Sequence, residues 1–475
     1  MSDTACVRLS FALISAILFG ASVVAAPLAS HGALVTPSQA YKLALANDPN
    51  LDVSRARWIS AKEQLVQAQA TLMPQVSLSF SSHWNQLDRQ LNGTNGSANV
   101  RSRYPSNNGA VQIRQTIYRK PASVSITIAE LQEEEARWIH ESEIQKVGLR
   151  VVQAYANGLA ALQDVRMLTE QLSHTDVHID AAQRRYASGV GIRTDIDEAI
   201  ARQSELQAML LQANMTRATS LSQLSRLIGQ PVGALADLSL PEVPVKSREH
   251  VDFDQWAEKM QTGHFELQAW AARIRMAESG VTRAEAAHMP TLDLIAQWVK
   301  SSAESVTLPD SRYMQQQVGL QFNMPLYAGG AHQSQVRLAE AEVDRVKASR
   351  EAFVIQLKQQ AERDWTTVVT GPVVLQAAQN ALDAARQMEV AVTRSFEGGL
   401  RTTQEVLLAK SQRVRLQRNQ SHHLIQWWLA WVQLKYLEGQ LDEATFARMD
   451  TWTNNSPASA ERMLPASVEQ LPGSR

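Results

Sequence analysis

The chain has 475 residues, with 46 Lys plus Arg against 47 Asp plus Glu and a single cysteine. A formal net charge of −1 at pH 7 leaves no basic excess for nucleic acid. One cysteine can build neither a disulfide framework nor a thiolate zinc site.

Residues 1–26 read as a secretory signal peptide. Arg8 precedes an apolar run from Phe11 to Phe19, and Val24-Ala25-Ala26 offers small residues for cleavage before Pro27. Cys6 falls inside it, so the exported chain is expected to carry no lipidated cysteine. No later segment has 18 uncharged apolar residues, which excludes a spanning helix. A membrane crossing would have to be a closed β-barrel, because lipid offers unpaired backbone groups no partner.

The rest of the chain is written twice, as 36–230 and 251–441. Leu51, Arg57, Ala61, Ala68, Ala70, Met73, Pro74, Val76 and Leu78 match Leu267, Arg273, Ala277, Ala284, Ala286, Met289, Pro290, Leu292 and Leu294 at a constant offset. Further on, Leu224, Leu227, Gly229 and Gln230 match Leu434, Leu437, Gly439 and Gln440. A period this long is a duplicated half-protein rather than a solenoid unit of about 20–50 residues. Each half orders its parts alike: helix, Pro, alternating strands, very long helix, Gly turn, helix.

The first helix, from about Asn47 to Met73, ends at Pro74, since Pro has no N–H to donate. Strands follow at about 75–85 and 109–118. Val76, Leu78 and Phe80 alternate with Ser77, Ser79 and Ser81, with Trp84 in the same parity; Val111 and Ile113 alternate with Gln112 and Arg114. Gln86 to Asn108 reads as a long polar loop. A long helix is predicted over about 119–187 and a shorter one over about 195–229. Residues 231–250 are less periodic and join the halves. In the second half, strands are predicted at about 291–299 and 315–327, a polar loop over 301–312, and helices over about 333–397 and 403–438. Gly371-Pro372 has no counterpart in the first half and is expected to kink the second long helix. Residues 442–475 form a tail, disordered from Asn454 onward.

Each long helix is on the order of 100 Å. Its apolar residues step by three and four in two stripes, as Leu149, Val152, Ala156, Leu159 and Tyr155, Leu162, Val165, Leu172 do. Two stripes call for neighbours on two sides, as in a cylinder of coiled coils. Four alternating strands cannot close a barrel alone, since the smallest have about 8. An ordinary soluble sheet with one packed face explains the alternation too. The few strands in a helical chain, the long loops at one end and the helices at the other favour a barrel shared between copies. Trp84 and Trp298 would then sit at the membrane interface.

These features resemble the TolC-type outer-membrane efflux and secretion ducts. The carriers are Asn47-Asp48-Pro49, Leu72-Met73-Pro74-Gln75, Met289-Pro290-Thr291-Leu292-Asp293, Met324-Pro325-Leu326-Tyr327-Ala328-Gly329-Gly330, and the turns Arg185-Tyr186-Ala187-Ser188-Gly189-Val190 and Ser395-Phe396-Glu397-Gly398-Gly399-Leu400-Arg401. The resemblance implies a homotrimer in which a 12-stranded outer-membrane β-barrel continues into a periplasmic α-helical coiled-coil tunnel. A periplasmic adaptor would dock at the tunnel tip on Gly189, Val190, Gly399 and Leu400, with an inner-membrane pump of ABC or RND type behind it. Residues 231–249 and the tail after Leu441 would form a belt around the tunnel. Small toxic molecules or polypeptides would be the cargo.

The same resemblance assigns a periplasmic gate to Thr194, Asp195, Phe396 and Arg401, with Arg401 linked to Thr194 and Asp195. Arg presents a planar fork of donors suited to a carboxylate. Glu405 would form an acidic constriction. Two positions depart from the family pattern: Phe396 lacks the hydroxyl of the family's tyrosine, and Leu408 stands where a second acidic ring is expected. The gate should therefore leak more readily and the cation preference weaken. A simpler reading stands beside this one. Thr402-x-x-Glu405 and Thr194-x-x-Asp197 have capping-box spacing, and acids in a first helical turn suit the helix dipole. Val190 and Leu400 could equally pack on their own helices.

His174 and His178 stand four apart on a helix but have no third metal ligand; a solvated helix face explains them. Trp427, Trp428 and Trp431 read as packing between helices. No phosphate loop, nucleophile elbow or carboxylate pair points to an enzyme or a cofactor. A passive porin and a non-conducting coiled-coil envelope protein are the competing functions. A porin is nearly all strand, and a soluble spacer does not need strands with tryptophan belts.

Overall fold

The computed structural model describes residues 34–93, 96–238, 252–302 and 311–454. The signal segment and the tail beyond Asn454 lie outside these residues. Among the described residues, no helix is long and apolar enough to cross a membrane.

The chain opens on a short strand β1 (Leu34–Val35) and helix α1 (Pro37–Asn47). Thr36 and Gln39 form a reciprocal capping box at its start. Asp48 then caps α2 (Pro49–Ala70) by accepting from the Asn50 amide at 2.8 Å, so the helix expected from Asn47 begins at Pro49. Strands β2 (Gln75–Gly93) and β3 (Gly96–Arg119) follow, then α3 (Lys120–Ala187) and α4 (Arg193–Ile228). Two-residue strands β4 (Ala234–Leu235) and β5 (Asp237–Leu238) precede α5 (Phe253–Gly263) and α6 (Phe265–Glu285). The second half continues with β6 (Thr291–Ser302), β7 (Arg312–Asn323), α7 (Ala331–Glu397) and α8 (Thr403–Leu437). Helix α9 (Glu443–Asp450) and β8 (Thr453–Asn454) close the described chain. Thus α2-β2-β3-α3-α4 recurs as α6-β6-β7-α7-α8.

The long strands form one antiparallel sheet in the order β2-β3-β6-β7. Its register carries the alternation across all four strands. Val76 and Leu78 lie opposite Ile113 and Val111. These lie opposite Ala296 and Trp298, and Ala296 and Leu294 lie opposite Val318 and Leu320. One face is therefore apolar across this band, up to Gln316 opposite Trp298. The other aligns Ser77, Gln112, Gln297 and Gln317. Gln317 donates to Gln297 at 2.7 Å, and Gln315 donates to Gln317 at 3.3 Å. At the helix end of this face, Asp293 is 3% exposed and receives Arg114 and Arg119 at 2.5 and 2.9 Å.

The polar loop expected over Gln86 to Asn108 is largely strand. Gln86 lies opposite Arg103 and Asp88 opposite Arg101, and these pairs bond directly at 3.2 and 2.5 Å. Cross-strand polar pairs sustain the ladder without apolar alternation, so periodicity could not reveal it. Strand β7 stops before the expected boundary, because Pro325 has no N–H for the ladder. Most of the second expected loop lies outside the described residues.

Helices α3 and α7 have 68 and 67 residues, on the order of 100 Å each. The core gathers beside their middles. Tyr155 is fully buried, packs edge-on against Trp428, and donates its hydroxyl to Val35 O and Ala236 O at 2.9 and 2.8 Å. It thereby pins β1, which pairs in parallel with β4, and the residue after β4. Strand β8 joins β5. Helix α9 closes on α1 through the stacked rings of Tyr41 and Phe446, 4.0 Å apart. Trp427, Trp428 and Trp431 are all buried here. Helix α7 runs on through Pro372. The Val368 carbonyl, which Pro372 cannot serve, accepts instead from Trp427 Nε1 at 3.3 Å.

Candidate functional site: the paired helical turns

The turn between α3 and α4 and the turn between α7 and α8 are built alike. Gly189 N donates to Tyr186 O and Val190 N to Arg185 O, at 3.0 and 3.1 Å; Gly399 N donates to Phe396 O and Leu400 N to Ser395 O, both at 2.9 Å. This is the Schellman pattern, which needs a left-handed residue after the helix. Gly189 (φ 77°) and Gly399 (φ 76°) supply it. The turns hold Val190 and Leu400 in solvent, 81% and 82% exposed. Neither packs on its own helix in the single chain.

Glu405 does two jobs at the start of α8. Its Oε2 accepts from Thr402 N at 2.7 Å, while its own N–H donates to Thr402 Oγ1 at 3.3 Å. That completes the capping box. Its other oxygen pairs with Arg401. The backbone bond from Thr402, then the Arg401 contact, hold the Glu405 carboxyl below the usual range. The Thr194-x-x-Asp197 spacing is not a second capping box. Helix α4 starts one residue ahead of Thr194, and its N-cap is Ile192.

Asp195 and Arg401 line one cavity of about 700 Å³ between α3, α4 and α8, together with His178, Glu198 and Leu408. Within one chain the Arg401 guanidinium binds Glu405 rather than Asp195. Phe396 lies in the last turn of α7, where its carbonyl accepts from Gly399. His174 approaches Glu170 at 3.5 Å. Burial, then the Arg185 charge, push the His178 imidazole below its ordinary pKa, against the opposing pull of Asp195 and Glu198. Among the described residues, no group of three His, Cys, Asp or Glu is placed to hold a metal.

Above the turns stands a clamp that sequence reasoning missed. Arg413 on α8 bonds Glu389 of α7 at 2.6 Å, Gln417 of its own helix at 2.9 Å, and Glu170 of α3. Its side chain is only 13% exposed. Arg418 makes a two-pronged bond to Asp164 of α3 at 2.7 and 3.0 Å. Both arginines lie on α8 and tie it to α3, which joins the second half to the first. Their partners on α3 are more than two hundred positions away in sequence, so no local spacing signals them.

Comparison with known proteins places this architecture. The chain is 25% identical to the proteases secretion protein PrtF of Dickeya chrysanthemi over 425 residues, covering 88% of this chain and 91% of PrtF. It is 23% identical to the outer membrane protein TolC of Escherichia coli over 447 residues, covering 91% and 88%. The crystal structure of the Campylobacter jejuni CmeC outer membrane channel superposes with a TM-score of 0.72 at 13% identity, covering 95% of this chain and 98% of CmeC. The family description "Outer membrane efflux protein" matches residues 40–230 and 256–440. The chain, with its duplicated strands and hundred-ångström helices, belongs to the outer membrane efflux protein family.

Proposed function

We propose that three copies of this chain form an exit duct through the outer membrane, gated at the paired turns. The observation that carries this reading is the sheet: one apolar face and one glutamine-lined face, joined directly to helix pairs about 100 Å long. In a 12-stranded barrel, β7 of one copy pairs with β2 of the next, which leaves no open edge. The apolar face meets lipid, and Trp84 and Trp298 mark its interface. The glutamine-lined face, with its Asp293–arginine cluster at the helix end, forms the lumen and passes varied cargo. PrtF, named for protease secretion, supports polypeptides among that cargo, beside small toxic molecules.

The helices form the periplasmic tunnel. Thr194, Asp195, Phe396 and Arg401 line its gate, and three copies of Glu405 form an acidic ring. Gly189, Val190, Gly399 and Leu400 offer the surface for a periplasmic adaptor, which couples the duct to an inner-membrane ABC or RND pump. Exposed aliphatic side chains on rigid turns suit insertion into a partner's helical groove.

Single-channel conductance of the purified protein in a planar bilayer, beside an Arg401→Ala variant, tests this reading. Small, cation-preferring conductance that rises in the variant is expected. A large conductance unaltered by the substitution would remove the gate but keep the channel. Well-folded protein that conducts nothing would sink the duct.

A further inference from the structure

The apolar face of the sheet carries two cations that have no acidic partner among the described residues. Elsewhere on the sheet, arginines find partners: Arg114 and Arg119 share Asp293, Arg101 pairs with Asp88, and Arg103 bonds Gln86. Lys300 and Arg312 are exposed, and among the described residues no side chain pairs with either. Lys300 lies opposite Gly109 and Met314, and Arg312 lies opposite Ser302. Lys300 shares the parity of Ala296 and Trp298, and Arg312 that of Val318 and Leu320. Both therefore project from the apolar face. They are diagonal neighbours across β6 and β7, roughly 7–8 Å apart at the backbone. Gly109 contributes no side chain, and its open position is bordered by Phe80 at 3.8 Å. The result is a notch with two charges at its rim. Below it run Trp298, Val318, Leu320 and Phe322, which are 46%, 77%, 65% and 64% exposed.

We infer that Lys300 and Arg312 bind the phosphorylated headgroup of a glycolipid in the outer leaflet, with its acyl chains against Trp298, Val318 and Leu320. The inference rests on the outer-membrane reading above, which puts the hairpin ends, and so this notch, on the side away from the helices. A cation on a lipid-facing strand is destabilising at mid-membrane but tolerated near an interface, where its stem can lie along apolar surface. Two adjacent unmatched cations repel each other in a low-dielectric setting unless an anion lies between them. A phosphate supplies that charge and accepts bonds from both groups. The aromatic ring of Trp298 suits the same interfacial depth.

The test uses the full-length protein in detergent micelles and native mass spectrometry with bis-phosphorylated lipid A and its dephosphorylated form. Saturable binding of the phosphorylated lipid is expected. The Lys300→Gln/Arg312→Gln double variant should weaken it about 30-fold, as two interfacial charges are lost. Lys300→Arg should retain it, and the dephosphorylated lipid should bind both proteins weakly and alike. Equal affinity of wild type and double variant for the phosphorylated lipid would overturn the site. So would unchanged lipid affinity with a less heat-stable oligomer, because the cations would then be pairing with a neighbouring copy. Planar-bilayer conductance on the same preparations separates the two readings. Absent lipid preference with intact conductance overturns this site alone. Absent conductance in the wild type overturns the duct and this site with it.

Discussion

Trp427 replaces the hydrogen bond that Pro372 removes from α7. Its indole Nε1 donates to the Val368 carbonyl at 3.3 Å, the acceptor four residues before Pro372. Gly371 makes the approach possible: a Cβ there would stand 2.1 Å from Trp427 Cδ1. Gly371-Pro372, expected from the sequence to kink the helix, is here one half of a helix-to-helix joint.

Trp427→Phe keeps most of the ring and loses the donor, leaving a buried carbonyl unserved. It should destabilise the fold by about 1–2 kcal/mol. In a Pro372→Ala background the backbone N–H returns, and the same substitution should cost measurably less. A double-mutant cycle by denaturant unfolding reads the difference. Additive effects would refute the joint.

Arg413 should matter more than its distance from the turns suggests. Arg413→Ala strands the Glu389 carboxylate, whose side chain is 20% exposed. Removing one partner of a mostly buried ion pair costs about 3–5 kcal/mol. Glu170 is 39% exposed, so its arm is screened and contributes less. Glu170→Gln should therefore be far milder than Arg413→Ala in thermal unfolding. Equal effects would mean that the clamp between α3 and α8 dominates over the one between α7 and α8.

Acid should loosen the middle of the molecule through His264. Its ring is 2% exposed, lies near Phe353 and Tyr436, and finds no hydrogen-bond partner among the described residues at either nitrogen. Burial pushes its pKa down from 6.5 to about 4. The folded state thus binds fewer protons than the unfolded state between these values. The stabilisation is full above pH 6.5 and is lost as pH falls toward 4, by up to about 3 kcal/mol. His264→Phe should flatten that part of the stability–pH curve. An unchanged slope would assign the acid sensitivity to other groups.

Val190→Asp and Leu400→Asp test the adaptor surface. Both side chains stand in solvent, so stability should change by no more than about 0.5 kcal/mol. Crosslinking of adaptor to duct in cells should fall sharply in each. Full crosslinking with both substitutions in place would move the docking surface elsewhere.

Much of this molecule is legible in the sequence because one physical demand repeats along it. Val76, Leu78 and Phe80, like Val318, Leu320 and Phe322, declare a strand by keeping one face apolar. Pro74 and Pro290 mark helix ends, and Gly189 and Gly399 mark the turns, since few other residues fit a positive φ. Thr402 and Glu405 form the cap their spacing announces. Elsewhere the demand is non-local. Gln86–Arg103 and Asp88–Arg101 extend a strand by pairing charges and amides across it. Strands β1, β4, β5 and β8 are two residues long, and Tyr155, from another element, holds β1 and the residue after β4. Arg413 meets Glu170 and Glu389 only when three helices pack.

The seam between β3 and β6 carries one more consequence. It pairs Arg119 with Thr291 and Asn107 with Ser302, yet all of α3 through α6 lies between them in the chain. Each hairpin closes locally and fast; the seam must wait for synthesis of the intervening helices and the entropy of closing so large a loop. Until then β3 presents a naked edge to any strand nearby. Within one chain, the sheet is complete only when its two halves meet across that seam.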